Sequence, residues 1–288
     1  MRVEPVVVVT DSTCYLPADL IAAHELVVVP LHVVLDGRSH TEGVDISTSE
    51  VAQALVEHRE VTTSGATPAA FAEAYRKAGV KRVVSVHISS RVSGTVDAAR
   101  VAAAEVAEDG IEVRVLDSRC LGMALGFVAV TTATAAAGGD SLDVVISRAT
   151  ARARTCRTWL YVDTLEYLRR GGRISATAAA LGSALSVKPL LHVVEGRVEP
   201  LEKVRTAGRA LARLEELVLA QAGQTPVDVA VQHLAAPSRA EELAERLRQR
   251  LPGIGRLVVA EVGAVIGAHV GPGMVGVALA PSQDYSRS

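Results

Sequence analysis

Aromatic side chains are scarce in this chain. They make up 3% of its 288 residues, whereas hydrophobic residues as a whole make up 49%. The interior must therefore be built from Val, Ala and Leu, and a ligand-binding tunnel through it would be lined by aliphatic groups rather than by stacked rings. A chain of this length exceeds the usual size of one domain, so we expect two domains, each with its own core.

Cysteine is also rare, and neither sign of charge predominates. Cys14, Cys120 and Cys156 are far apart and show no CxxC or Cys/His spacing, which argues against a disulfide framework or a zinc site and indicates a reducing compartment. The formal net charge of −2 leaves no global basic field for nucleic acid and no polybasic arm for a membrane surface. We therefore expect no metal, no cofactor and no nucleic-acid partner.

Long apolar runs are missing as well. The N-terminal run Val6–Val9 is too short for a signal peptide and is soon followed by Asp11. The uncharged stretch between Arg119 and Asp140 is rich in Ala, Gly and Thr, which fits a buried helix better than a membrane span. We expect a cytoplasmic protein with no integral membrane association.

The common catalytic signatures are absent from the sequence. It has no GxSxG elbow, Walker A loop, GxGxxG fingerprint or HExxH pair. This favours a binding protein without catalytic residues over an enzyme. The competing interpretation is a serine hydrolase or a small-molecule transferase that uses Ser93 and His269, although no oriented third member and no oxyanion loop can be named for it.

The stretch Lys81–Ala104 carries the clearest positive signal. Val83–Ile88 is β-branched and mostly apolar, as in a buried parallel strand, and Val96–Ala104 is Ala-rich and helix-forming. Between them lies the polar loop Ser89–Thr95. At the carboxyl end of a strand, such a loop presents free backbone N–H groups and the positive end of a helix dipole. The pattern predicts a binding site for an anion.

A second cluster of hydroxyl groups, Thr62–Pro68, lies just upstream. Thr67 is predicted to cap a helix whose first turn contains Pro68. If the two loops meet in space, Thr63 and Ser93 would bind the same pair of ligand oxygens. The competing interpretation is that these hydroxyl groups only cap helices.

Strands and helices alternate through the first half of the chain. The strands that start at Val6, Val83 and Ile111 all end in hydroxyl-bearing loops. The alternation predicts an α/β fold in which the N-terminal domain has a mostly parallel sheet covered by helices on both faces. A crevice at one edge of that sheet is the expected position of the ligand.

A second α/β domain is predicted to follow. A new strand, Thr158–Val162, places the domain boundary near residue 156. A hairpin around Gly196 and the later alternation of helices and strands predict a mixed sheet. We therefore divide the chain into an N-terminal domain, a C-terminal domain and a tail, at residues 1–156, 157–282 and 283–288, with the ligand between the two domains.

Two later motifs also attract attention. In the Arg-Arg-Gly-Gly-Arg segment, Gly171 is explained as a helix C-cap, but nothing structural requires Arg169, Arg170 and Arg173. They form either a solvated turn or a surface that contacts a partner or a phosphate. His269 precedes a Gly-Pro-Gly turn, which lets the backbone approach a ligand closely, although a lone histidine is more often structural.

Taken together, these motifs resemble the DegV family, in the same order and over essentially the whole chain. The segments that carry the resemblance are Thr10–Thr13, Thr63-Ser64, Ser89–Thr95, Asp117-Ser118, Val162–Ser175, Lys188–Leu190 and His269–Gly273. DegV proteins are two-domain α/β proteins that hold one long-chain fatty acid between the domains. Some of them are the fatty-acid-binding subunit of bacterial fatty acid kinase.

The resemblance implies roles for individual residues. It implies that the acyl carboxylate is held by Thr63, Ser93 and His269, with Gly94 next to Ser93 in the loop. Where the family has Gln-Pro after Thr-Ser, this chain has Gly-Ala. The contacting hydroxyl is therefore that of either Thr62 or Thr63.

The resemblance also implies a protein partner. It implies that the Gly-Gly-Arg turn faces the catalytic subunit of a fatty acid kinase, which would place Arg170 and Arg173, with Arg169 beside them, at that contact. In this interpretation the chain is a carrier that presents its fatty acid for acyl-phosphate formation by the separate kinase. Burial of the tail contributes about 0.8 kcal/mol per CH₂, so the tail supplies most of the affinity and the polar groups orient the head.

Overall fold

The computed structural model describes residues 4–174 and 188–283. In chain order its strands are β1 (Val6–Asp11), β2 (Val27–Val29), β3 (His32–Leu35), β4 (Arg38–Thr41), β5 (Val61–Ser64), β6 (Arg82–His87), β7 (Glu112–Asp117), β8 (Arg157–Tyr161), β9 (Lys188–Val194), β10 (Arg197–Val204), β11 (Val227–His233), β12 (Ile254–Glu261) and β13 (Val275–Pro281). Its α-helices are α1 (Ala18–Ala23), α2 (Thr48–Val56), α3 (Pro68–Lys77), α4 (Thr95–Val106), α5 (Met123–Ala137), α6 (Leu142–Thr155), α7 (Glu166–Arg170), α8 (Ala207–Ala222), α9 (Pro237–Arg250) and α10 (Ala264–Val270).

The chain divides into two compact units. The first comprises the chain up to His32 together with Ser64–Thr155, and the second comprises Val33–Thr63 together with the chain from Cys156 onward. This division differs from the predicted N-terminal domain over residues 1–156, because Val33–Thr63 groups with the later part of the chain. The grouping depends on contacts between parts of the chain that are distant in sequence. Local patterns of hydrophobicity do not predict such contacts.

The first unit contains a four-stranded parallel sheet. Its strand order is β2–β1–β6–β7, and every neighbouring pair is parallel. Phe71 and Tyr75 of α3 and Ala99 of α4 share a core with Val9 and Val83 of the sheet. Helices α5 and α6 form a second pair, which also contacts the strands. The predicted parallel sheet, covered by helices on both faces, is confirmed.

Helix α5 accounts for the long uncharged stretch. Almost all of its residues are buried, and the hydroxyl groups of Thr131 and Thr132 donate hydrogen bonds to the carbonyl groups of Phe127 and Val128 at 2.9 and 2.7 Å. These bonds satisfy the only polar side-chain groups that this part of the helix brings into the core. Within the described ranges, no helix is both long and apolar enough to cross a membrane.

The second unit contains a mixed sheet of six strands, as predicted. The strand order is β10–β9–β8–β13–β11–β12, with β11 and β12 parallel and the other neighbours antiparallel. Leu214 of α8 and Leu243 of α9 pack with Trp159, Leu190 and Val229 of the sheet in one core. Residues of Val33–Thr63 add the three-stranded order β4–β3–β5 and helix α2.

Two local elements differ from the predictions. The hydroxyl cluster after Val61 was expected to be a loop, but Val61–Ser64 forms strand β5, which suits β-branched Val and Thr. His269 precedes the Gly-Pro-Gly turn as expected, but it lies in the last turn of helix α10, which was not predicted from the sequence. The glycine inside this short helix obscures its helical periodicity in the sequence.

The first unit supplies a stability test at Gly126 in α5. A Cβ added there would lie 2.8 Å from the carbonyl oxygen of Cys14 and 3.0 Å from Cδ2 of Leu16. We expect Gly126→Ala to lower the free energy of unfolding by about 1–3 kcal/mol, because a backbone carbonyl has little room to move. Urea unfolding followed by circular dichroism measures this change.

Gly208→Ala in α8 is the matched control. A Cβ added at Gly208 meets no atom within 4 Å, so this variant should leave the urea midpoint unchanged or raise it slightly. An unchanged midpoint for Gly126→Ala would instead show that α5 shifts away from Cys14 at little cost.

Candidate functional site

The second unit brings Thr63 and His269 together, although 206 positions separate them in sequence. The Thr63 hydroxyl lies 2.7 Å from Nε2 of His269 and shares a hydrogen bond with it. In strand β5 successive side chains point to opposite faces, so Thr62, which is exposed, points away from the side that carries Thr63. Of the two threonines left open by the sequence, the structure places Thr63 against the histidine.

Close backbone packing fixes the position of the His269 ring. A Cβ added at Gly171, just after α7, would overlap Nδ1 of His269. A Cβ added at Gly271 would overlap the Tyr167 ring, and Gly271 also has a left-handed φ of 74°. Glycine at these two positions allows α7 and the end of α10 to lie directly against each other.

The environment keeps the His269 imidazole neutral at pH 7. Burial, and then the nearby positive charge of Arg173, lower the pKa of His269 from 6.5 to about 4. The Arg173 guanidinium donates a hydrogen bond to the carbonyl oxygen of Gly171. The result is an uncharged hydrogen-bonding ring with a cation close by, which suits an anionic ligand better than a metal ion.

In the first unit, Ser93 and Gly94 lead into helix α4. The Ser93 hydroxyl is hydrogen-bonded to the Thr95 hydroxyl at 2.8 Å, and the backbone N–H of Ser93 donates to the carbonyl of Ser89 at 3.2 Å. Gly94 is the exposed N-cap residue of α4 and supplies no side-chain cap. The loop therefore has the predicted form of a polar helix start with hydroxyl groups around it.

Asp11 anchors the strand ends from which this loop departs. Its buried carboxylate accepts hydrogen bonds from the backbone N–H groups of Thr13 and Ile88, at 3.1 and 3.0 Å, and lies 3.0 Å from Nδ1 of His87. These contacts tie the end of β1 to the end of β6, immediately before Ser89. The loop with Ser93 thereby follows a buried, hydrogen-bonded end of the sheet. The sequence showed Asp11 only as part of a motif and did not reveal this role.

The contacts of His87 continue into a chain that resembles a catalytic triad. Its Nε2 lies 2.6 Å from the Ser85 hydroxyl, which lies 2.8 Å from the Tyr75 hydroxyl. Asp11, His87, Ser85 and Tyr75 are all 0% exposed. A substrate cannot reach a hydroxyl group at the bottom of this packed core, so the arrangement is structural and gives no support to a serine hydrolase.

The three arginines of the Arg-Arg-Gly-Gly-Arg segment have different surroundings. Arg169 is exposed, whereas Arg170 forms an ion pair with Glu166 one helical turn earlier. Arg173 is partly buried and turns toward the carbonyl of Gly171, beside His269. The sequence predicted one cluster of three guanidinium groups; in the structure Arg173 differs from Arg169 and Arg170 in being partly buried.

A polar cluster that the sequence did not identify lies around Asp163. The Lys188 ammonium group lies 2.7 Å from its carboxylate, and the Tyr161 hydroxyl donates to the same oxygen. Burial by itself would raise the pKa of Asp163, but the hydrogen bonds from Lys188 and Tyr161 lower it overall. Among the described residues, no group of three or more His, Cys, Asp or Glu side chains could hold a metal ion.

The sheets and loops define a two-unit α/β protein, with an all-parallel sheet in one unit and a mixed sheet in the other. A family model described as "Uncharacterised protein, DegV family" matches residues 5–282. The chain belongs to the DegV family. A DegV domain-containing protein of Streptomyces coelicolor is 54% identical to it over 275 residues, which are 94% of this chain and 97% of the relative.

Two solved structures of the family are closely similar to this chain. One, described as fatty acid binding of a DegV family protein from Thermus thermophilus, has a TM-score of 0.90 and 32% sequence identity, and the match covers 96% of this chain and 100% of that one. The other is DegV of Bacillus subtilis, described as a fatty acid binding protein. Its TM-score is 0.88 and its identity 32%, with 97% of this chain and 100% of that one covered.

The lowered pKa of His269 predicts a specific dependence of stability on pH. The folded protein binds a proton on His269 less tightly than the unfolded chain does. The contribution of His269 to the free energy of unfolding is therefore fully present above pH 6.5 and is lost as the pH falls toward about 4. The loss due to this residue is at most about 3 kcal/mol. Urea unfolding between pH 7 and pH 4 measures it.

His269→Gln should remove this part of the pH dependence, because glutamine does not titrate. The difference in stability between the variant and the natural protein should therefore shrink or reverse as the pH falls from 6.5 to 4. Parallel curves for the two proteins over this range would show that His269 is protonated to the same extent in the folded and unfolded states.

Proposed function

We propose that this protein binds one long-chain fatty acid and that Thr63, His269, Ser93 and Gly94 supply hydrogen-bond donors to its carboxylate. The observation that carries the proposal is the 2.7 Å contact between Thr63 and the buried, neutral His269, in a chain 32% identical to two fatty-acid-binding DegV proteins. Thr62 is left out of the contact set, since it is exposed on the other side of β5.

The chemistry of these groups suits a carboxylate head. Hydroxyl groups, a neutral imidazole and the N–H groups of a helix start hydrogen-bond an anion without a full counter-charge beside it. Such bonds are strengthened when the acceptor is ionised, and they fix its orientation. Arg173, close to His269, adds favourable electrostatic potential for an anion.

The composition supports an aliphatic tail as the other half of the ligand. Only 3% of the residues are aromatic, and the described cores are dominated by Val, Leu and Ala. Each buried CH₂ of an acyl chain contributes about 0.8 kcal/mol, so a long chain supplies most of the binding free energy. The head group then decides the orientation of the fatty acid rather than its affinity.

We further propose that the protein is a carrier in the cytoplasm and not an enzyme. In this role it presents the carboxylate to the catalytic subunit of a separate fatty acid kinase, which forms the acyl phosphate. Arg169, Arg170 and Arg173 are the proposed docking residues, because guanidinium groups suit an acidic protein surface. The triad-like chain through His87 and Ser85 is fully buried and does not favour a hydrolase instead.

Binding of oleate by matched pairs of variants tests the head-group contacts. Thr63→Val and Ser93→Ala should each weaken oleate binding about tenfold, the expected loss for one hydrogen bond to a charged group. Thr62→Val and Ser90→Ala should bind like the natural protein, because Thr62 is exposed and Ser90 is bonded to Asp117. Isothermal titration of delipidated protein measures the affinities.

Native mass spectrometry of the purified protein provides a second measurement. It should detect one fatty acid per chain. A protein that cannot be loaded with any fatty acid would contradict the proposed function. Equal affinities in all four variants would leave fatty-acid binding intact but remove Thr63 and Ser93 from the site.

The docking proposal is best tested at Arg169. Charge reversal in Arg173→Glu would also change the surroundings of His269, whereas Arg169 is exposed on α7. Arg169→Glu should leave oleate binding unchanged and lower the rate of acyl-phosphate formation by the cognate kinase. Arg248→Glu, at an exposed position of α9, is the control. An unaltered rate with Arg169→Glu would place the docking surface elsewhere.

A further inference from the structure

Glu42 makes a buried contact with the helix that carries His269. Its carboxylate oxygen Oε1 accepts a hydrogen bond from the backbone N–H of Val265 at 2.8 Å, across 223 positions of sequence. Glu42 is only 7% exposed, which is rare for a glutamate. Both residues belong to the second unit.

Helix α10 has no side-chain cap of its own. Its N-cap residue is Gly263, which cannot accept a hydrogen bond through a side chain, and the residues Ala264 and Val265 are buried. The N–H groups of a helix's first turn have no partner within the helix, and leaving one of them buried and unpaired costs free energy. The Glu42 carboxyl oxygen satisfies the N–H of Val265.

The segment Val33–Thr63 contacts α10 at both ends of the helix. Glu42 contacts its first turn, and Thr63, 21 residues later, contacts His269 in its last turn. Val265 and His269 are four residues apart, about 6 Å along a helix, so a shift of the first turn moves the ring as well. Helix α2, which lies between Glu42 and Thr63 in sequence, packs against α10.

The backbone around Glu42 is itself well supported. The N–H of Val44 donates to the carbonyl of Thr41 at 3.1 Å, and the N–H of Thr41 donates to the Asp45 carboxylate. A β-bridge joins Glu42 to Ile46. The carboxylate of Glu42 is therefore presented from an ordered turn and can hold α10 in one position.

We propose that Glu42 is a positioning residue that sets the place of the His269 ring for the ligand carboxylate. The part that concerns the ligand rests on the proposed function. A hydrogen bond to a carboxylate needs its donor within a few tenths of an ångström of the right position. In this proposal Glu42 fixes the position of the His269 ring through α10 and does not touch the ligand. The contacts of Glu42 with Val265 and of Thr63 with His269 together define where the ring lies.

Three substitutions at Glu42 test the proposal. Glu42→Leu removes the acceptor, Glu42→Asp withdraws it by one methylene group, and Glu42→Gln keeps an oxygen acceptor in place. The expected order of effect is Leu, then Asp, then Gln, with Gln close to the natural protein. Glu50→Gln is the matched control, since Glu50 is exposed and caps the neighbouring helix α2 through Ser47.

The first measurement uses the ligand-free protein. NMR spectra of the ring nitrogens of His269 report its hydrogen bond to Thr63, and amide hydrogen exchange of Val265 reports its bond to Glu42. Glu42→Leu and Glu42→Asp should speed the exchange of Val265 and shift the His269 signals. The second measurement is oleate affinity, which should fall about tenfold or more in Glu42→Leu, as for the loss of a head-group hydrogen bond.

The outcomes separate this proposal from the proposed function. A natural protein that binds no oleate would contradict fatty-acid binding, while the His269 spectra would still test positioning. Folded variants with fast Val265 exchange but unchanged His269 signals would show that Glu42 is merely structural and overturn the proposal. If Glu42→Leu does not fold, the milder Glu42→Asp decides by the same criterion.

Discussion

Close packing of the segment 163–171, which contains α7, against the end of α10 and the turn after it is the constraint on which the second unit's polar site depends. Three glycines of these segments each face a side chain that a Cβ would overlap, namely Gly171 against His269, Gly271 against Tyr167 and Gly273 against Asp163. The segments run past each other in opposite directions, so the three contacts form one continuous line. Larger residues would separate them and move the imidazole away from Thr63. The segment with Arg-Arg-Gly-Gly-Arg and the segment with His-Val-Gly-Pro-Gly are therefore two halves of one packed structure.

The two units contain histidines in contrasting environments. His87 lies in a fully buried chain beside the Asp11 carboxylate, where every polar group has a protein partner. His269 lies beside a hydroxyl group and near Arg173, where burial and positive charge favour the neutral ring. The first arrangement is complete by itself and stabilises the strand ends. The second combines a neutral ring with a positive charge near it, which is a favourable environment for an anion.

Much of the fold could be predicted from the sequence, because its strands and helices obey local rules. The all-Val strand β1, the β-branched strand β6 and the amphipathic helices α3 and α8 appear where periodicity and capping residues indicate them. The hydroxyl-rich loop before α4 was also visible, since a helix start after a buried strand has a recognisable composition. Strand β5 and helix α10 were missed, because a four-residue strand and a seven-residue helix containing glycine are too short to show a period.

The sequence by itself determined the alternation of elements, the aliphatic character of the cores and the identity of the polar residues that are candidates for the site, since each follows from local composition and spacing. Only the tertiary structure decided that Thr63 rather than Thr62 faces His269, that Val33–Thr63 belongs to the second unit, and that Ser85, His87 and Asp11 are sealed inside the first. The physical reason is that these outcomes depend on contacts between residues up to 223 positions apart. Such contacts form when whole helices and strands pack together, and local sequence patterns do not predict them.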